Sequence, residues 1–371
     1  MDRFYQANVS DTPPVPPSPG VYGFVQSDVP YPLAETYFPT TPGPWDYHFV
    51  TESIRNVIVA AGLEPDPLNL HQLADAIELL LLDRVAYPLD PLSILPAMAY
   101  STRRLLAAYS GPSMRVRRDS DNAEQDINFV DGQLDTDGLM AFVGGGSGFV
   151  SIWYDQSGYG FDASQPSHGS QPVIVQGGVL IEIYGFPSVF FNANNLTFDN
   201  REGAQDDFTL SAVFSTTQSN TVSNPEFGYE MGGFIYSDLS GNAYDLGFGN
   251  LGNKLTLWGG GAGGEQGVLG ETTINDGGLH VGLVSRVSAN GAIDLSLDGN
   301  PDGSGIGAIG TRSQAPDCQL GSAGINSGSS DGSSRPAVVY MPEAVIYASV
   351  LSDDDYSLLQ DAQRLYIRGA V

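Results

Sequence analysis

Between Pro172 and Tyr347 the chain is written as short alternating apolar runs separated by turn residues, and that pattern leaves few folds open. The runs are Pro172 to Val175, Val179 to Ile183, Ser188 to Phe191, Phe208 to Phe214, Gly233 to Tyr236, Tyr244 to Phe248, Lys254 to Trp258, His280 to Ser285 and Ile293 to Leu297. Asp298-Gly299-Asn300 then supplies a hairpin turn, since Asp and Gly tolerate positive φ. Strands this short and closely spaced make a mainly β protein, a sandwich or jelly roll, and not a parallel α/β sheet. The 46 glycines, 24 prolines and only 16% charged residues agree, because they favour turns over long helices.

The stretch before these strands carries a recognisable order of residues. Ala99 to Tyr109 reads as a short helix-like run stopped by Ser110-Gly111-Pro112, and Ser113 to Arg118 reads as a strand. An acidic loop follows from Asp119 to Asp126, then a second strand from Phe149 into Tyr154-Asp155-Gln156-Ser157. The series Arg103 to Pro112, Val116 to Asp121, Asp126-Ile127 and Ile152 to Gly158 resembles the start of the catalytic domain of α-L-arabinofuranosidase B enzymes. That resemblance implies a concanavalin-like β-sandwich (jelly roll) over residues 95–371, of a kind that recurs at the ends of bacteriophage tail fibres. It also implies that Met341 to Tyr347 is the closing strand and that a helix follows it. Ser352 would cap that helix, with the acids beside it suited to the helix dipole.

Residues 1–48 read as an extended Pro/aromatic-rich attachment segment, with polyproline geometry across Thr12 to Gly20. Tyr22, Phe24, Tyr31, Tyr37, Phe38, Trp45 and Tyr47 are too many aromatics for a solvated linker. Residues 49–84 predict a helical hairpin. Thr51 would cap a helix with Ile54, Val57, Ile58 and Ala61 on one face, and Gly62 would stop it. Asn69 would cap the second, with Leu70, Leu73, Ala74, Ile77, Leu80 and Leu81 as its stripe. Two helices this short do not hide both stripes, so a homotrimer is expected. Residues 85–94 read as a linker. The order Pro42 to Trp45, Thr51 to Leu63 and Leu73 to Ile77 also resembles N-terminal segments of phage tail fibre proteins, which implies attachment to tail or baseplate proteins and a place in the virion.

The charge of −28 excludes nucleic acid as a partner of the whole molecule. No run approaches a membrane span and no signal peptide precedes the first segment, so neither membrane insertion nor secretion is expected. Cys318 stands alone, which rules out an internal disulfide. Arg103, Arg104, Arg115, Arg117 and Arg118 are expected to pair with Asp119, Asp121, Glu124 and Asp126. Asp155 is expected to bond turn amides. The enzymes that the chain resembles use two carboxylates at one sugar, beside an adjacent-cysteine disulfide that this chain lacks. If it is a glycoside hydrolase, the acids to consider are Glu226, Glu230, Asp238 and Asp245. For binding alone, Tyr229, Tyr236, Asp238, Tyr244 and Trp258 combine hydroxyl acceptors with flat apolar faces. Trp258 beside its glycines reads equally as a sugar platform or as core. No cofactor is expected; calcium is conceivable among Asp298 to Asp302, without an EF-hand pattern. The expected function is a virion tail fibre or receptor-binding protein whose sandwich binds a bacterial surface glycan. A virion-borne glycoside hydrolase and a purely structural tail protein are the alternatives.

Overall fold

The computed structural model describes residues 44–368, apart from 67–68, 70, 84–86, 201–202, 223, 225–230, 238–245, 260–265, 312–316 and 324–334. The chain divides into two units, Met1–Val85 and Ala86–Val371. In the first, α1 (Pro44–Ala60) packs on α2 (Gln72–Asp83). α1 starts ahead of the expected cap at Thr51 and inside the segment read as extended, with Pro44 at the position where a missing amide costs nothing. Its face is the expected one: Ile58 is buried and Ile54 and Val57 are half-buried. Gly62, at φ +77°, closes it in the left-handed conformation. α2 is rotated from expectation. Ala76 and Gln72 are buried while Ile77 is exposed, because Gln72 turns inward to donate to the Glu64 carbonyl and accept from the Asp66 amide. The rest of the expected strap, residues 1–43, lies outside the described residues.

The second unit is an antiparallel β-sandwich. Its first sheet is built on the strand Val338–Tyr347, which pairs with Met98–Ser101, Val189–Asn192 and Phe208–Ser215. From Phe208–Ser215 it continues through His280–Arg286 and Ala292–Leu297 to Asn300–Ile306. The second sheet runs from Met114–Arg118 through Gly148–Trp153, Ala163–Ser164 and Leu196–Asp199 to Asp317–Leu320. Gly232–Ser237, Leu246–Leu251, Lys254–Gly259 and Gln266–Thr273 complete it. The main core lies between the sheets: Leu210, Phe214 and Ile346 of the first meet Val150, Phe198, Phe248 and Leu257 of the second within one cluster.

Alternation would leave the outer face of the first sheet polar, yet Val213, Leu283, Val345 and Tyr347 occupy it. A second cover makes that possible. Leu359 and Ile367 of α4 (Asp353–Arg368, α3 being Thr136–Val143) lie there, with Leu89 and Leu92 of the segment before the sandwich and Leu105 and Leu106 of the stretch after Met98–Ser101. The expected linker 85–94 is therefore part of the sandwich from Tyr87 on. Ser93 donates through its amide and hydroxyl to Asp355, and the Leu89 amide donates to the Leu105 carbonyl. The helix-like run at Ala99 is also corrected: Met98–Ser101 is a strand, because pairing with Ala344 and its neighbours outweighs local helix preference. Ser352 caps α4 as expected, its hydroxyl accepting from the Asp355 amide. The turn at Asp298-Gly299 has both residues at positive φ.

Candidate functional site

The Tyr154-Asp155-Gln156-Ser157 motif is a clamp at a strand end. Asp155 is buried and accepts from the amides of Ala99 (2.9 Å), Ser157 (2.9 Å) and Phe161 (3.1 Å), and from the Ser157 hydroxyl (2.6 Å). Gln156 accepts from the Leu105 amide and donates to the carbonyls of Ser101 and Arg103. Every polar atom so held is a structural one. The Arg cluster divides. Arg115 pairs with Asp126 at 2.7 Å and Arg118 with Asp121 at 2.7 Å, as expected. Arg103 instead reaches the fully buried Glu343 at 2.8 Å, and Arg117 binds Gln171 and Asn122.

The loop that Asp155 anchors opens onto a groove of about 680 Å³, walled by Asp162, Ser164, Gln165, Asn195, Thr197 and Asp199, with Pro166, Ser167 and Ser170 beyond them. Alternation explains why the wall is polar. Leu196 and Phe198 enter the core, so Thr197 and Asp199 point to the opposite face, and Thr197 faces Ser164 on the neighbouring strand. Asp162 accepts from the Asp155 amide at 2.9 Å. Burial pushes the Asp162 carboxyl above its usual pKa, with the nearby Asp155 charge adding and the amide bond opposing. Among the described residues, none that lines the groove carries positive charge. Sequence reading missed this wall; the alternation Leu196-Thr197-Phe198-Asp199 was the available signal.

The same outer face continues across the sheet. Thr197 is opposite Gln319, Gln319 opposite Tyr236, Tyr236 opposite Gly247, and Gly247 opposite Trp258. At about 4.8 Å per strand, Tyr236 lies roughly 10 Å and Trp258 roughly 19 Å from Thr197 along this row. The structure thus brings Tyr236 and Trp258 together, as nearly parallel rings with centroids 6.3 Å apart. They are not open platforms. Each is 1% exposed, in a cluster with Met231 and Leu251. Gly247 leaves the gap that Met231 fills, since a Cβ there would stand 2.6 Å from the Met231 sulfur. The buried Oε1 of Gln319 and Nε1 of Trp258 have no hydrogen-bond partner among the described residues. Glu226, Tyr229, Glu230, Asp238, Tyr244 and Asp245 lie outside the described residues.

In the turn considered for calcium, Asp298 accepts from the Val281 amide and bonds His280, and Asp302 accepts from the Thr272 amide. The described residues hold no group of three or more His, Cys, Asp or Glu placed for a metal.

A family model described as α-L-arabinofuranosidase B, catalytic, matches residues 95–179. A solved GH54 α-L-arabinofuranosidase soaked with a cyclic sulfate inhibitor is 17% identical with a TM-score of 0.51, over 73% of this chain and 62% of that one. An arabinofuranosidase complexed with arabinofuranosyl-α-1,2-xylobiose is 18% identical with a TM-score of 0.50, over the same shares of the two chains, 73% and 62%. This chain therefore spans less than two thirds of either structure. No curated protein matches it. At these identities the likeness is one of fold: residues 86–371 form a β-sandwich of the arabinofuranosidase B catalytic type.

Proposed function

We propose that the sandwich binds a carbohydrate along the outer face of its second sheet. The observation that carries this reading is the groove beside the Asp155 clamp, whose wall is hydroxyl, amide and carboxylate in character. Such groups match the hydroxyls of a neutral sugar, and a rigid sheet presents them in fixed register. The absence of positive charge among the described residues of that wall, with a net charge of −28, disfavours acidic sugars. Binding of extracted bacterial surface polysaccharide by the purified protein tests the reading. Saturable binding weakened about tenfold or more in Asp162→Asn and Asn195→Ala supports it; unchanged binding in both variants refutes it.

A second reading, glycoside hydrolysis, is favoured by one feature. Asp162 and Asp199 share the groove, and burial raises the pKa of Asp162, the direction a general acid requires. Steady release of shorter sugars, abolished by either Asp162→Asn or Asp199→Asn, would establish it.

For the whole chain we infer a phage tail fibre or receptor-binding protein in the virion, its residues 1–48 attaching to the tail and its helical unit forming a homotrimer. The Pro-rich and aromatic N-terminal pattern supports the first point. Val59 and Ile77, 51% and 45% exposed on the short helices, support the second. Light scattering on the full chain, before and after Ile58→Asp, tests the trimer; a monodisperse wild-type monomer refutes it.

A further inference from the structure

A second cavity, of about 670 Å³, lies across the edge of the first sheet at the start of α4 and belongs to none of the chemistry above. The register builds it. Ser285 is opposite Asp294 and Asp294 opposite Ser304, so three polar side chains stand in a row across three strands on the face opposite the core residues Ile293 and Leu295. Asp302 is the unpaired residue of a bulge between Pro301 and Gly303 on the same strand, and it lines the same cavity. Glu271 and Asp353 complete four carboxylates around the space, and among the described residues no Lys, Arg or His lines it.

Asp302 separates this cavity from an ordinary acidic patch. It is 3% exposed, and its Oδ1 accepts from the Thr272 amide at 2.9 Å. Its Oδ2 is buried with no hydrogen-bond partner among the described residues. The neighbouring strand is bare at Gly270, where a Cβ would collide with that oxygen. A buried carboxylate oxygen without a donor is costly, and a donor arriving through the cavity removes that cost. The ligand's chemistry follows from the wall. The charge calls for a cation, and the lack of any preassembled group of three metal-ligating side chains among the described residues argues against a compact metal ion. A volume of this size suits a sugar ring or a short chain.

We propose that this cavity binds a small organic cation through a primary ammonium group, with Asp302 as the buried acceptor and Asp294 and Glu271 as the outer charges. The site lies between the outer strands of the first sheet and the Gln266–Thr273 strand of the second, shares no lining residue with the polar groove, and the proposal stands whether or not the groove binds sugar. Its two sources, an amino sugar and a polyamine, share the ammonium chemistry.

Calorimetric titration of the full chain near neutral pH tests it, with glucosamine, N-acetylglucosamine, spermidine and calcium chloride as separate ligands. The expected result is saturable, salt-sensitive binding of glucosamine or spermidine and none of N-acetylglucosamine, whose nitrogen is uncharged. Preference between the two amines identifies the source. Asp302→Asn keeps an acceptor for Thr272 and is expected to weaken binding about tenfold or more. Asp294→Asn, at an exposed position, serves as a second variant if Asp302→Asn unfolds. Absence of amine binding, equal binding of N-acetylglucosamine, amine binding unchanged in both variants, or binding of calcium alone would each overturn the proposal.

Discussion

Asp155 holds three backbone amides and a hydroxyl at the junction of two strands, so its removal acts far beyond one side chain. Each buried donor left without a partner costs about 1–3 kcal/mol, and Asp155→Ala is expected to destabilise the sandwich by about 3 kcal/mol or more in urea denaturation. His280 sets a pH dependence of its own. Burial works against its charge, but hydrogen bonds to Asp298 at 2.8 Å and Asp276 at 3.0 Å outweigh burial and raise its pKa above 6.5. A group raised on folding stabilises fully below its unfolded pKa, about 6.5, and that share is lost as pH climbs through the folded value. Melting temperature is therefore expected to fall as pH rises above about 6.5 in the wild type. His280→Gln is expected to flatten that part of the profile. A wild-type profile that is already flat there would contradict the assignment.

Among the elements, α4 is tied to the first sheet by one buried network. Glu343, on the central strand, accepts from Arg103 at 2.8 Å, from Ser101 at 3.0 Å and from Gln363 of the helix at 3.0 Å. Arg103 also lies 4.0 Å over the ring of Tyr366 and donates to the Ala362 carbonyl. Taking one partner from a buried pair strands the other charge, so Glu343→Ala is expected to cost about 3–5 kcal/mol in denaturant titration. Ser352→Ala removes only a helix cap and is expected to cost about 1 kcal/mol. Reversal of that order would mean that the helix is held mainly by its end and not by the network.

For the whole molecule, the boundary at Val85/Ala86 and the inclusion of Leu89 and Leu92 in the sandwich core predict that residues 86–371 fold alone. That fragment is expected to unfold in a single cooperative transition by circular dichroism, whereas a fragment starting at residue 95 is expected to lose stability with those two leucines. The strands were legible because alternation has a period of two and is written locally: Phe208–Ser215, Lys254–Gly259 and His280–Arg286 fall where the pattern put them. Asp155 was legible too, since a carboxylate at a strand end beside Ser157 and Gly158 is surrounded by turn amides whatever the rest of the chain does. Met98–Ser101 was not, because its state depends on a partner strand more than 200 residues away. Nor was Glu343 as the partner of Arg103, or the meeting of Asp162 with Asn195 and Asp199 in one groove. Tyr236 and Trp258 mark the boundary. Alternation in the sequence places both on faces opposite core neighbours, and strand register makes those one face. Only the tertiary structure lays Met231 over them, because local pattern assigns a side to each residue but cannot say what will cover it.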